Sequence, residues 1–337
     1  MDKKILLGHG SGGRLSRSLI RDLFLTWFSN RVLQAQGDSA VLPADGSHLA
    51  FTTDAFVVDP IFFPGGDIGK LAVAGTVNDL AVAGAQPVYL TASFIIEEGF
   101  AVKDLERIVQ SMAEEAEQAD IQIVAGDTKI VNRGKCDKIF ITTSGVGWVD
   151  EPFLSVSLGT NIRPGDKIII NGPVGDHGMA ILAARELHQF KTDIGSDCAS
   201  LNHIIQKIKE ICRDIRFMRD VTRGGLATVL AELAENRLFG VEIHESAIPV
   251  NENTRGLCEL LGYDPLYVAN EGKFIAVVPA DSASDVLTAF KSHPLGREAA
   301  IIGNIVEQHP GHVWMNTAIG GKRMIDMLAG EQLPRIC

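Results

Sequence analysis

A two-lobed mixed α/β protein is what this sequence predicts, and three observations carry the prediction. Its 337 residues exceed the usual reach of one hydrophobic core. Segments with helical spacing of apolar residues alternate with strand-like apolar runs along the chain. The segment EPFLSVSLGTNIRPGD at 151–166 breaks that pattern with turn residues, and a new series begins after it. The expected division is an N-terminal lobe over 1–155, a C-terminal lobe over 156–320 and a flexible tail over 321–337 that follows a Gly-Gly break.

The elements follow in order. The run KKILL leads into Gly8, Gly10 and Gly13 and then into RLSRSLIRDLF, which reads as helical. The apolar run HLAFTTD ends in Asp54. Residues 69–84, GKLAVAGTVNDLAVAG, read as a buried helix of small residues, and PVYLTASFII at 87–96 as a strand. Leu105, Ile108, Val109 and Met112 recur at helical spacing within 103–120. A strand is expected at 121–125, then a turn at GDTK, then a strand at 138–149. The second half restarts with DKIIING and a helix from about Gly175. Leu226, Val229, Leu230 and Leu233 share one face of a helix over 224–236, and KFIAVVP and AIIGNIV are later strands.

Composition removes several functions. The 31 basic and 42 acidic residues leave a net charge of −11, which repels polyanions and argues against nucleic-acid binding. A local phosphate site would need metal ions or backbone amides. The cysteines are Cys136, Cys198, Cys212, Cys258 and Cys337, an odd number with no C-x-x-C pair. That disfavours a disulfide framework or a zinc site and fits a reducing cytoplasm. The N-terminal apolar run is too short for a signal-peptide core, and no stretch approaches a membrane span.

Candidate chemistry begins at the N-terminal glycines. Gly8, Gly10 and Gly13 satisfy G-x-G-x-x-G, but the polar segment after the helix does not supply the βαβ context of a dinucleotide fold. A phosphate-covering loop with Arg14 suits them better; the plain alternative is a mobile N-terminus. No P-loop motif occurs. Several of Asp38, Asp54, Asp79, Asp127 and Asp220 lie beside glycine or at the end of an apolar strand, from which side chains can converge on one cleft. Hard oxygen ligands favour magnesium. Singly, each is more often a cap or turn residue, and Asp220 is placed to cap the 224–236 helix. Lys129 is a candidate phosphate partner or base, Glu271 a candidate site carboxylate; solvated turn and loop residues are the alternatives. His177, near a helix start, reads as an exposed polar residue.

Cys337 ends the chain after Leu-Pro-Arg-Ile and is no prenylation box, since nothing follows it. The residues after Gly321 span at most ~50 Å when extended, so the thiol can visit a cleft and an outside partner. Its α-carboxylate disfavours the thiolate, with Arg335 as an offset. The alternative is a frayed tail with an idle thiol.

GDSAVL, TTDAFVV, GTVNDLAVAGAQP, AGDTK and DVTRGGL resemble the motifs of the aminoimidazole-ribonucleotide-synthetase-like (PurM-like) ATPases. HGSGGR, GDHGMA, VANEGKF and the terminal PRIC narrow the resemblance to the HypE family, the carbamoyl dehydratases of NiFe-hydrogenase maturation. It runs from residue 8 to residue 337. It implies a two-lobed PurM-like α/β (α+β) fold and a homodimer formed through strands of the N-terminal lobe. It implies ATP in that lobe with Mg2+ held by aspartates. Asp38, Asp54, Asp79 and Asp220 match the acidic metal and nucleotide motifs. Asn78, Asp127, Thr128 and Lys129 fall at nucleotide-binding positions beside them, and Lys129, Glu271 and Cys337 at the reaction site. The implied partners are a HypF-like carbamoyltransferase and a HypC–HypD-like scaffold complex.

The implied reaction is ATP-dependent dehydration of a carbamoyl group on Cys337 to a thiocyanate, supplying cyanide to an iron centre. A selenophosphate-synthetase-like or purine-pathway enzyme is the first rival. The terminal Cys disfavours it, as does the lack of a reactive Cys near the N-terminal glycines. The second rival is a non-catalytic nucleotide-binding scaffold.

Overall fold

The structure, a computed structural model, describes residues 13–25, 34, 36, 39–45, 47–186, 193–328, 333, 336 and 337. Gly8, Gly10 and Asp38 therefore lie outside the described residues. Gly13 opens helix α1 (Gly13–Leu19), which continues as one π turn over Ile20–Phe24.

The first lobe is built on a hairpin of β1 (Ala40–Ala44) and β2 (Ser47–Phe56). A short ribbon, β3 (Phe62–Phe63) and β4 (Gly66–Asp67), leads into α2 (Ile68–Val82). Then come β5 (Ala85–Glu97), α3 (Val102–Gln118), β6 (Gln122–Val131) and β7 (Ile139–Val149). The sheet order is β1-β2-β7-β5-β6. Only β5 and β6 pair in parallel, with α3 as the crossover that parallel strands require.

The side chain of Asp67 caps α2 by accepting from the amides of Gly69 (2.7 Å) and Lys70 (3.1 Å). Within α2 only Lys70 and Asp79 escape full burial. A helix wrapped on all sides needs small residues where neighbours approach. At Gly75 an added Cβ would lie 2.9 Å from the Phe56 ring, so glycine lets α2 sit directly on β2.

The second lobe contains β8 (Lys167–Ile170), α4 (Asp176–Glu186), α5 (Asn202–Ile211), β9 (Phe217–Asp220) and α6 (Gly225–Ala234). It continues with β10 (Gly240–His244), α7 (Glu252–Leu261), β11 (Phe274–Val278) and α8 (Ala283–Lys291). Strands β12 (Ala300–Val306), β13 (Val313–Asn316) and β14 (Lys322–Ile325) complete a sheet of order β14-β13-β10-β12-β8-β11-β9. The lobes share their interior. Ala50, Leu80 and Val82 pack in one cluster with Ile204, Ile205, Phe274 and Phe290. Phe56 and Val58 pack in another with Met179, Val268 and Ile336.

Two sequence expectations change. GDTK is not a turn: β6 runs through it to Val131, held by its register with β5, and Gly126 fits where a Cβ would meet the Ala92 carbonyl at 2.5 Å. Residues 322–325, assigned to the tail, form the edge strand β14 against β13, because Ile325 is buried in the second lobe's core.

Candidate active site

The sheet-to-helix contact in the first lobe brings two aspartates together. On β2, Thr52, Asp54 and Phe56 alternate onto the face that meets α2. On α2, Gly75 and Asp79 lie one turn apart on one face. Thr52 Oγ1 donates to Asp79 Oδ2 (3.0 Å), and a Cβ at Gly75 would lie 3.9 Å from Asp54 Oδ2. Asp54 and Asp79 therefore converge. Ser39, the neighbour of Asp38, donates its hydroxyl to the Asp79 carbonyl (3.1 Å).

The second lobe supplies the opposing wall. Asp220 is the last residue of β9 and is 8% exposed. It does not cap α6, whose N-cap is Gly224 at φ 77°, with no side-chain capping bond. Glu271, expected as an exposed loop acid if idle, is 3% exposed. Its backbone is fixed on several sides. Asp197 accepts from the amides of Glu271 (3.0 Å) and Gly272 (3.2 Å) and pairs with Lys273 (2.9 Å). Asn78 Nδ2 donates to the carbonyls of Glu271 (3.3 Å) and Ala199 (3.1 Å), and Asn78 Oδ1 accepts from the Leu201 amide (2.7 Å). The Asn78 amide is thus spent on joining the lobes. Glu271 Oε1, by contrast, is buried with no hydrogen-bond partner.

The chain's end completes the cleft. Ile336 bridges to Val58 just beyond β2, and its carbonyl accepts from His177 Nε2 at 2.6 Å. Leu333 and Ile336 are buried, and half-buried Cys337 packs against the same core. His177 is not the exposed polar residue expected: it is completely buried at the start of α4.

Electrostatics show which of these groups lie near one another. Burial pushes the Cys337 thiol up to about 12; Arg223 opposes that rise, while Glu271, Asp54 and Asp220 add to it. Burial likewise drives Glu271 well above the usual carboxylate range, helped by Asp220 and Asp197 and opposed by Arg223. Cys337, then Asp54, Glu271 and Asp79, raise the Arg223 guanidinium further. Asp54, Asp79, Asp220, Glu271, Cys337 and Arg223 thus lie near enough for their charges to act on one another.

Sequence reasoning missed Arg223, although it stands inside DVTRGGL between a strand end and two glycines. Asp127, Thr128 and Lys129 are not gathered with this set. They sit on the exposed edge strand β6, where Lys129 pairs with Asp127 (2.8 Å) and the Thr128 amide donates to the same carboxylate (2.9 Å). The Lys129 hydrogen bond, then the Thr128 amide, hold the Asp127 carboxyl below its usual range.

Among the described residues, no three His, Cys, Asp or Glu side chains stand close enough to hold a metal ion by themselves. The carboxylates of Asp54, Asp79 and Asp220 are nonetheless hard oxygen donors, each near enough to Arg223 or Cys337 to act on its charge. They suit an ion that keeps waters and is completed by substrate phosphates.

Comparison with known proteins identifies the family. The AIR synthase related protein N-terminal domain matches residues 36–149, and the corresponding C-terminal domain matches 163–316. The carbamoyl dehydratase HypE of Rhodobacter capsulatus is 51% identical over 338 residues, covering 100% of this chain and 99% of that protein. The chain belongs to the HypE family. Two solved HypE structures are similar throughout. One, a HypE–HypF complex, gives a TM-score of 0.87 at 48% identity, covering 92% of this chain and 100% of that one. The other, HypE in complex with ATP, gives 0.81 at 48% identity, covering 99% and 100%. Among the described residues, no helix is long and apolar enough to cross a membrane.

Proposed function

We propose that this chain is an ATP-dependent carbamoyl dehydratase of NiFe-hydrogenase maturation. It carries a carbamoyl group on Cys337 Sγ and converts it to a thiocyanate, whose cyanide passes to an iron centre on a scaffold partner. The observation that carries this reading is the docking of the chain's end: the Ile336 carbonyl accepts from His177 Nε2, and Cys337 packs against the core beside it, near enough to Asp54, Asp220, Glu271 and Arg223 for their charges to act on its thiol. Membership of the HypE family supports it, as do the solved relatives bound to ATP and to HypF.

In the overall change, nitrogen gives up both hydrogens and carbon its oxygen, a net loss of one water that ATP hydrolysis takes up. Bound ATP supplies the phosphoryl group that makes the carbamoyl oxygen a leaving phosphate. Asp54, Asp79 and Asp220, with Asp38, would hold Mg2+ at the phosphates, where it offsets charge. Of the two protons that the carbamoyl nitrogen loses, Glu271 takes one and passes it to solvent, and the other leaves with the phosphate. One Glu271 oxygen is buried without a hydrogen-bond partner, and burial beside Asp220 and Asp197 raises the carboxyl pKa, so Glu271 is a strong base once ionised. Arg223 balances negative charge beside the thiol. The docked tail converts the encounter of thiol-borne group and nucleotide into a positioned, intramolecular one. Asn78 supports the wall that carries Glu271, and Asp127, Thr128 and Lys129 remain proposed nucleotide contacts.

A homodimer is part of the proposal. The helix-free face of the first sheet exposes Phe51, Tyr89, Ile95 and Trp148, and the edge strand exposes Val124 and Ile130. A HypF-like carbamoyltransferase would load the thiol, and a HypC–HypD-like complex would receive the cyanide. A cytoplasmic setting would keep the cysteines free, as all five stand here.

The test uses carbamoylated protein and Mg-ATP. The C-terminal peptide should lose the mass of one water, and Cys337→Ala should deliver no cyanide. Asp79→Asn and Asp220→Asn should lose the dehydration step and keep carbamoylation of the thiol. Retained cyanide delivery by Cys337→Ala would sink the mechanism.

A further inference from the structure

His177 has no place in the chemistry above, yet it is one of the most enclosed polar side chains in the molecule. Its ring is held on three sides. Nε2 lies 2.6 Å from the Ile336 carbonyl, Nδ1 lies 2.8 Å from Ser196 Oγ, and the Phe63 ring meets it edge-on at 5.6 Å between centroids. A carbonyl oxygen only accepts, so Nε2 must carry the hydrogen. In the neutral ring that burial favours, Nδ1 is then the acceptor, and the Ser196 hydroxyl donates to it. Ser196 is itself fixed: its amide donates to the Pro64 carbonyl (2.7 Å), and its Oγ accepts from the Cys198 amide (3.1 Å). That last bond leaves the hydroxyl hydrogen free to point at the imidazole. A neutral histidine in one tautomer is the result, consistent with the burial that lowers its pKa.

The position of this bond along the chain gives it its meaning. Ile336 is the residue before the thiol, and its carbonyl lies two bonds from the Cys337 Cα. The same segment that orients His177 also fixes Glu271, because Asp197, next to Ser196, accepts from the Glu271 and Gly272 amides. The tail's approach to His177 is cleared by Gly178, where a Cβ would lie 2.5 Å from Val268 Cγ1 and 3.2 Å from Leu333 Cδ1.

We infer that His177 is a positioning residue: oriented by Ser196, it grips the penultimate carbonyl and so seats the terminal thiol against the wall that carries Glu271. The inference rests on the dehydratase reading for its purpose, but not for its test. The grip is a single neutral hydrogen bond in a buried site. It is strong enough to favour the docked tail and weak enough to let the thiol leave for a loading partner.

The experiment uses the full-length protein without nucleotide at neutral pH, N-ethylmaleimide as probe, and mass spectrometry of the cysteine-containing peptides. His177→Ala should raise the rate of Cys337 alkylation about tenfold, the loss of one hydrogen bond's worth of docking. Cys136, distant in the first lobe, serves as the internal control and should not change. His177→Gln, whose amide N–H can donate to the same carbonyl, should restore the slow rate. In single-turnover dehydration of carbamoylated protein, His177→Ala should lower the rate constant and leave the half-saturating ATP concentration unchanged.

Equal Cys337 alkylation in wild type and a folded His177→Ala overturns the inference. So does a His177→Gln that behaves like His177→Ala, since that assigns the effect to packing. If His177→Ala does not fold, Ser196→Ala carries the test, because it removes the group that fixes the tautomer. Faster Cys337 alkylation then supports the grip, and an unchanged rate rejects it. Alkylation needs neither ATP nor a carbamoyl donor. A released thiol in a protein that dehydrates nothing would therefore uphold the grip while rejecting the dehydratase reading.

Discussion

Glu271 occupies a site that costs the fold stability. An unfolded glutamate ionises near 4.5, whereas here burial and the neighbouring carboxylates of Asp220 and Asp197 hold the proton on. The native state thus binds more protons than the unfolded chain above that pH. Stability therefore falls as pH rises from about 4.5 to the raised native value, then levels off. Glu271→Gln removes the titration while keeping the shape. In metal- and nucleotide-free protein its melting temperature should equal or exceed wild type at neutral pH and lose this part of the pH dependence. Its dehydration rate should drop by roughly 10²- to 10⁴-fold, the usual scale of a lost general base. A variant both less stable and fully active would refute the assignment.

Asp54 and Cys337 were legible in the sequence because an acid at the end of an apolar run, or a cysteine at a chain end, is locally unusual. His177 and Arg223 were not. The partner that defines His177 lies 159 residues away, and no local pattern announces it.

At the scale of elements, α2 and β2 show how small residues set a catalytic distance. Gly75→Ala would place a methyl 2.9 Å from the Phe56 ring and push the helix away from β2. The expected cost is about 1–3 kcal/mol in denaturant unfolding, together with weaker ATP-dependent turnover, because Thr52 on β2 holds the Asp79 carboxylate and Asp54 lies beside Gly75 at that contact. The edge strand β6 offers a second test. Ile130→Lys places a charge on an exposed apolar position and should shift the protein from dimer to monomer by light scattering; an unchanged mass would place the dimer contact elsewhere.

The long helices were readable from period and small-residue content. The extent of β6 was not. GDTK carries turn residues, and only the hydrogen-bond ladder with β5, continued to Val131, overrides their local preference.

At the scale of the molecule, the two lobes were visible from length and from the break at 151–166, where only short 3-10 turns now separate β7 from β8. Their shared interior was not visible, because it depends on which apolar faces meet. Leu80 against Ile204 and Phe274, with Asn78 bonded across the same junction, makes the lobes one packed body.

In a body so joined, the proposed carrier thiol on the chain's own end has a kinetic consequence. The reacting group is tethered at a high effective concentration, so the enzyme should show no saturation by its own carbamoyl substrate. Each loaded molecule should turn over once with a first-order rate that is the same in dilute and concentrated protein, with ATP alone giving a half-saturation constant. Stopped-flow measurement of ADP formation across a hundredfold range of protein concentration would show it. A rate that climbs with protein would mean that one molecule's tail is served by another molecule's cleft.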